Sequence, residues 1–194
     1  MLGEFSPLEI DDVKWMLRVR DGDEEAFREL VEKYQTSIRN LCFRLIGNRE
    51  DAEEVALEVF VQLYLSRHRY KPEAKLSTYL YRIAMTRSLN RIRDQKRKRA
   101  ISLEFLKEEG RLDPEISPSD LPDVQLEQKE MEARVRNALE ALPEKQRTAL
   151  VLRRYEELSY EEIASIMGIS VSAVEALLHR ARETLRKRLK GLFS

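Results

Sequence analysis

The chain has 194 residues, a formal net charge of zero, 36% charged and 7% aromatic residues, and only six Gly and six Pro. This length allows one ordinary domain or two small ones, and the composition suits charge-faced helices better than a sheet sandwich, so the expected fold class is all-α. A single cysteine, Cys42, excludes an intramolecular disulfide. No apolar run approaches the ~20 residues of a membrane span, and the N-terminus lacks a signal-peptide pattern, so the expectation is a cytoplasmic chain without membrane insertion.

In chain order, a short first helix is expected to bury Leu8, Val13, Met16 and Leu17. Asp23 is placed to N-cap a long helix in which Phe27, Leu30, Val31, Tyr34, Ile38, Leu41, Cys42 and Leu45 recur at spacings of three and four. Gly47 follows where a left-handed residue is wanted, and Asn48 with Asp51 reads as a capping box for a third helix. That helix should bury Ala52, Val55, Val59, Phe60 and Leu63. A basic loop covers about residues 67–76, and Ser77 or Thr78 is expected to cap a helix carrying Leu80, Ile83, Ala84 and Ile92.

Periodicity then fails. Residues 107–123 hold Gly110, Pro114, Pro118 and Pro122 among acidic residues, the composition of a flexible linker. Beyond it, Leu126, Met131, Val135, Ala138, Leu139 and Leu142 mark one helix, and Pro143 opens the next, with Ala149, Leu150, Leu152 and Tyr155 inward. Ser159 and Glu162 form a capping box before a short helix with Ile163, Ala164 and Met167, which Gly168 ends. Ser170 caps a last helix with Val174, Leu178, Ala181 and Leu185 inward. Residues 159–181 thus have the grammar of a helix-turn-helix, whose second helix enters the major groove of DNA, the alternative being a plain helical hairpin with a solvated basic tail. The positions expected to be exposed there are Ser172, Ala173, Glu175, Ala176, Leu177 and His179, with Arg180, Arg182, Arg186, Lys187 and Arg188 available to phosphates.

Zero net charge conceals an alternation. Residues 1–66 carry 8 Lys/Arg against 15 Asp/Glu, residues 67–99 carry 12 against 2, residues 100–132 carry 3 against 10, and residues 133–194 carry 12 against 8. The basic segment interleaves its cations with Tyr70, Tyr79 and Tyr81, a combination suited to neutralising phosphates and stacking on unpaired bases, and equally to a solvated basic face with its tyrosines in the core. The same alternation leads us to expect a compact free chain, in which the basic surface meets acidic segments of its own sequence. Two distant histidines, His68 and His179, and no Gly-rich phosphate loop leave no catalytic or metal-binding constellation, so no cofactor, no metal and no enzymatic role are expected.

Several runs, in order, resemble the extracytoplasmic-function sigma factors, the smallest members of the sigma-70 superfamily. Asp51-Ala52-Glu53-Glu54-Val55, with Glu58, Phe60 and Tyr64, is similar to the family's polymerase-binding helix. Thr78-Tyr79-Leu80-Tyr81-Arg82-Ile83-Ala84 resembles a run in which tryptophan usually stands at the place of Tyr79. Leu142-Pro143-Glu144-Lys145-Gln146-Arg147, Ser159-Tyr160-Glu161-Glu162-Ile163-Ala164 and Leu178-His179-Arg180-Ala181-Arg182 resemble the C-terminal domain. Leu57 departs from a usual glutamine, Thr86 from an asparagine, Asn90 from an aspartate, and Glu175 and Leu177 from the commoner lysine and arginine.

The resemblance implies a subunit that binds core RNA polymerase and directs promoter-specific initiation. Residues 1–100 would bind the clamp helices of the largest polymerase subunit and the minus-10 element, residues 101–125 would link, and residues 126–194 would meet the polymerase flap and read the minus-35 element. It places polymerase contacts on Asp51, Glu54, Val55, Glu58, Val59 and Gln62. It places minus-10 contacts on Arg69, Tyr70, Lys75, Thr78, Tyr79, Arg82, Arg87, Arg91 and Arg93. Minus-35 contacts fall on Tyr160, Ser170, Ser172, Ala173, Glu175, Ala176, Leu177, His179, Arg180 and Arg182. An anti-sigma partner is implied as well. The competing reading is a sigma-like decoy that binds such a regulator without productive DNA recognition.

Overall fold

The structure is a computed structural model that describes residues 7–71, 75–108 and 123–190, with residues 7–10, 102–108, 123–130 and 132 described by their backbone only. The expectations for Leu8, Leu126 and the proline-bearing stretch 109–122 lie outside the described side chains or residues. The described residues fold into eight α-helices and one 3-10 turn, with no strand among them. The helices are α1 (Pro7–Arg20), α2 (Glu24–Ile46), α3 (Arg49–Leu65), α4 (Leu76–Glu108), α5 (Asp123–Glu140), α6 (Glu144–Tyr155), α7 (Tyr160–Met167) and α8 (Val171–Arg188).

Local chemistry sets most of the boundaries. The Asp23 side chain accepts from the Ala26 backbone N–H at 3.0 Å, which satisfies one orphan donor of α2. Gly47 ends α2 in the left-handed region, with φ 84°. Asn48 accepts from Asp51 N–H at 2.9 Å, but the Asp51 carboxylate does not complete the box. It accepts instead from Arg91 and Gln95 of α4.

Helix α4 differs from expectation at both ends. It starts at Leu76, so Ser77 and Thr78 lie inside its first turn and do not cap it. It runs to Glu108, through residues expected to be linker, because Arg, Lys, Gln and Ala keep helix propensity where hydrophobic periodicity has lapsed.

Helices α2, α3 and α4 pack on one another around Leu30, Ile38, Leu41, Leu63 and Leu80, all essentially inaccessible, and α1 closes that group through Met16 and Val19. Helices α6, α7 and α8 form the second group around Leu152, Ile163, Ile166, Val174 and Leu178. The two groups touch: α7 lies on α4 and α6 on α2, and one continuous apolar cluster crosses the junction. Tyr155, expected inward, is instead 48% exposed, because α6 turns it toward Arg44 of α2, whose guanidinium lies 4.4 Å from the ring centre. Met131 is exposed rather than core.

Candidate polymerase and nucleic-acid interface

The α7–α8 unit is built from its caps. Ser159 Oγ accepts from Glu162 N–H at 3.2 Å while the Glu162 carboxylate accepts from Ser159 N–H at 2.9 Å, completing the capping box. Gly168, at φ 65°, ends α7 after two turns, and the Ser170 hydroxyl accepts from Ala173 N–H at 3.2 Å to start α8. The two helices meet at 100°, within the range of a helix-turn-helix.

On α8, Ser172, Glu175, His179, Arg180 and Arg182 are exposed, and Ser170 is exposed at the cap. Ala173, Ala176 and Leu177 are half-buried, as is Tyr160 at the start of α7. Leu177 packs against the core cluster. Full exposure, expected for Ala173, Ala176 and Leu177, is therefore corrected: position 177 lies two residues from Glu175, about 200° of helical rotation, which turns it from the exposed face toward the interior beside Leu178.

The basic segment is less open than its charge count implies. Tyr70 and Thr78 are buried, and Tyr79 is half-buried with its hydroxyl 2.9 Å from Ser66 Oγ. Burial pushes the Tyr70 hydroxyl up to about 12, with the charge of Asp12 adding to the effect. Arg69 alone of the candidates on that loop is exposed.

Two arginines expected on DNA turn toward α3. Arg91 reaches Asp51 at 2.8 Å, Glu54 at 2.7 Å and Glu58 at 3.2 Å. Arg87 donates to Gln62 at 2.8 Å and pairs with Glu58 at 3.4 Å. The hydrogen bond from Arg91, together with its charge, holds the Glu54 carboxyl below its usual range. Of the candidate polymerase contacts on α3, Asp51, Glu54, Glu58 and Gln62 reach the surface in this network, whereas Val55 and Val59 are core residues.

Three further candidates contact the C-terminal helices. Lys75 pairs with Glu162 at 3.0 Å, Arg82 donates to the Ser165 carbonyl, and Arg93 pairs with Glu144 at 3.1 Å. Sequence reasoning missed the residue at the centre of this junction. Glu156 follows α6, accepts from Arg44 and from the Tyr81 hydroxyl at 3.1 Å each, and is nearly inaccessible. Burial raises its carboxyl above the usual range despite those two donors.

These two helical groups correspond to two known sequence families. Residues 30–98 match Sigma-70 region 2, and residues 132–185 match Sigma-70, region 4. The chain is 35% identical over 181 residues to the ECF RNA polymerase sigma factor SigW of Bacillus subtilis, covering 92% of this chain and 97% of that protein. It is also 35% identical over 187 residues to the RNA polymerase sigma-H factor of Pseudomonas aeruginosa, covering 93% and 95%. Among solved structures, CnrH in complex with the cytosolic domain of CnrY shares the fold with a TM-score of 0.69 at 20% identity, covering 93% of this chain and 98% of that one. With region 2 and region 4 both present in order, and relatives of matching length throughout, the chain belongs to the extracytoplasmic-function RNA polymerase sigma factors of the sigma-70 family.

Proposed function

We propose that this chain binds core RNA polymerase and directs initiation at promoters with two spaced elements, working in the cytoplasm and contributing no catalytic group of its own. Residues 1–100 hold the polymerase and the minus-10 element, 101–125 connect, and 126–194 meet the flap and the minus-35 element. The observation that carries this reading is the helix-turn-helix with its exposed row Ser172, Glu175, His179, Arg180 and Arg182, on the same chain as a region 2 unit.

Ser172, Glu175 and His179 lie on the half of α8 nearest its N-terminus, the half that enters a major groove in such units, and Arg180 and Arg182 follow where they can hold phosphates. Glu175 accepts hydrogen bonds and so favours a cytosine amino group, whereas arginine favours guanine. Leu177 has its side chain partly committed to packing, which leaves less of it for a thymine methyl. Arg69 and Tyr79 serve the minus-10 element beside Lys75, Arg82 and Arg93. An anti-sigma partner is part of this reading, since a solved structure of similar fold, the sigma factor RpoE of Bartonella quintana, is in complex with the anti-sigma factor NepR.

Run-off transcription with purified core polymerase over a pool of random promoters tests the proposal. Products enriched for two spaced motifs only when this protein is present are expected. Core binding without any such product would overturn it in favour of the decoy reading.

A further inference from the structure

Arg147, in the first turn of α6, is a buried cation whose charge is not met. It is 8% exposed, its Nε is sealed from solvent and donates to nothing, and no described residue forms an ion pair with it. Burial works against its charge, opposed by the charges of Glu140 and Glu144, and Glu144 is already bound to Arg93 and Lys96. An arginine does not escape by losing its proton, so such a position is costly until an anion completes it.

Two cavities meet at this side chain. One, of about 350 Å³, has apolar walls from three helices: Phe43 and Ile46 of α2, Val135 and Leu139 of α5, and Val151 and Tyr155 of α6. The other, of about 600 Å³, reaches α4 and is rimmed by Lys96, Lys98 and Arg99, all exposed. Arg147 and Glu140 line both. The remaining charged groups are mostly committed or solvated: Arg44 is held by Glu156, Asp51 by Arg91 and Gln95, while Arg136 and Glu140 are exposed.

We infer that this is a binding site for a small amphipathic anion, an aliphatic carboxylate whose chain fills the apolar cavity and whose head group pairs with Arg147. A carboxylate matches the planar fork of a guanidinium. At the ~30 Å³ that a water-sized group takes in a liquid, the cavity holds roughly ten methylenes. A nucleotide or sugar phosphate would bury polar groups against aliphatic walls, and a neutral lipid would leave Arg147 unpaired. Glu140 faces solvent, so its repulsion is screened, whereas Arg147 acts from the interior.

The site joins the two helical groups, since α2 lies within the region 2 match and Val135, Leu139 and α6 within the region 4 match. A ligand held by both walls stabilises the arrangement in which Lys75, Arg82 and Arg93 contact the C-terminal helices. It is therefore a negative effector of DNA engagement. Binding does not depend on the sigma reading, but this effect rests on it.

The test is isothermal titration of the full chain with sodium decanoate below its micelle concentration, with decanol as the uncharged chain of the same length. Saturable decanoate binding is expected, with decanol weaker by about tenfold or more. Arg147→Met keeps an apolar stem and should erase that preference. Val135→Trp fills the cavity from a half-buried position and should abolish binding of both, with circular dichroism confirming that each variant is folded. Decanoate should also raise energy transfer between dyes on α2 and α8 and lower run-off transcription. No saturable binding to the wild type, or equal affinity for the two probes that Arg147→Met leaves unaltered, would overturn the site. Binding that changes neither energy transfer nor transcription would overturn the effector role. A wild-type chain that binds decanoate through Arg147 yet directs no transcription would overturn the sigma reading and leave the site standing. An acidic amphipathic peptide that binds through Arg147 where decanoate does not would assign the cavity to a protein partner and overturn this occupant.

Discussion

Glu162 accepts two hydrogen bonds that belong to different levels of the structure. The Ser159 N–H, at 2.9 Å, is the capping-box contact within α7, and the Lys75 ammonium, at 3.0 Å, comes from the N-terminal group. Glutamine preserves the box and loses only the charge pair, whereas alanine loses both. Glu162→Ala should therefore destabilise by about 1 kcal/mol and Glu162→Gln by about half that or less, read from urea unfolding. Burial alone would raise this carboxyl, but the Ser159 N–H and Lys75 outweigh it and hold it below its ordinary value of 4.5. A carboxyl lowered in the folded state adds stability above its unfolded value, and that contribution is lost as pH falls through the folded one. The difference between wild type and Glu162→Ala should thus shrink on acidification below about pH 4.5. Arg91 gives a second test at this scale. Arg91→Ala leaves Asp51, Glu54 and Glu58 facing each other without their shared cation, and the melting temperature should fall by about 2–6 °C.

At the scale of the element, the helix-turn-helix depends on one backbone conformation. Gly168 has φ 65°, and nothing lies within 4 Å of the position a Cβ would take. The cost of Gly168→Ala is therefore the left-handed backbone itself, about 1 kcal/mol, with no steric addition. Thermal unfolding and promoter binding should both register it, the second by misdirecting α8. This unit was also the most legible part of the sequence. Asp23, Asn48, Ser159, Gly168 and Ser170 announce their helix ends because capping is a contact over two or three residues, complete within the local sequence. Facing directions that depend on a neighbouring helix were less legible. Leu177 and Ala176 could not be placed without knowing what lies beside α8, and Tyr155 and Met131 were misplaced at the junction for the same reason. The basic run 67–99 gave its charge correctly, but charge counts do not say which way a guanidinium turns. Arg87 and Arg91 turn to α3, across about 30 to 40 positions of sequence, and only the packing of α3 on α4 determines that.

At the scale of the whole molecule, the two helical groups are held by contacts that tie down part of the basic surface. Lys75, Arg82 and Arg93 each contact α6 or α7, while Arg44 and Tyr81 converge on Glu156. These contacts differ in how salt should act on them. The Arg93–Glu144 pair is exposed on the arginine side and will be screened, but the Glu156 carboxylate, 7% exposed, is shielded from ions. Glu156 is also costly to keep charged, since burial raises its carboxyl above the ordinary 4.5. For a carboxyl raised in the folded state, stability is greatest below its unfolded value and declines as pH rises through the folded one. The junction should accordingly loosen from acid toward neutral pH, the reverse of the trend at Glu162. Glu156→Gln keeps an acceptor for Tyr81 and removes the charge, so it should abolish that decline. Energy transfer between dyes on introduced cysteines, one on α2 and one on α8, measures the effect, because Cys42 is buried and its thiol, pushed up to about 11 by burial, will not react. Combining Glu144→Gln with Glu162→Gln releases Arg93 and Lys75 from their carboxylates. That double variant should show lower energy transfer and bind single-stranded DNA about tenfold more tightly at low salt, with a steeper salt slope. Unchanged transfer and unchanged DNA affinity would mean that these pairs neither hold the two groups together nor compete with phosphate for the basic surface.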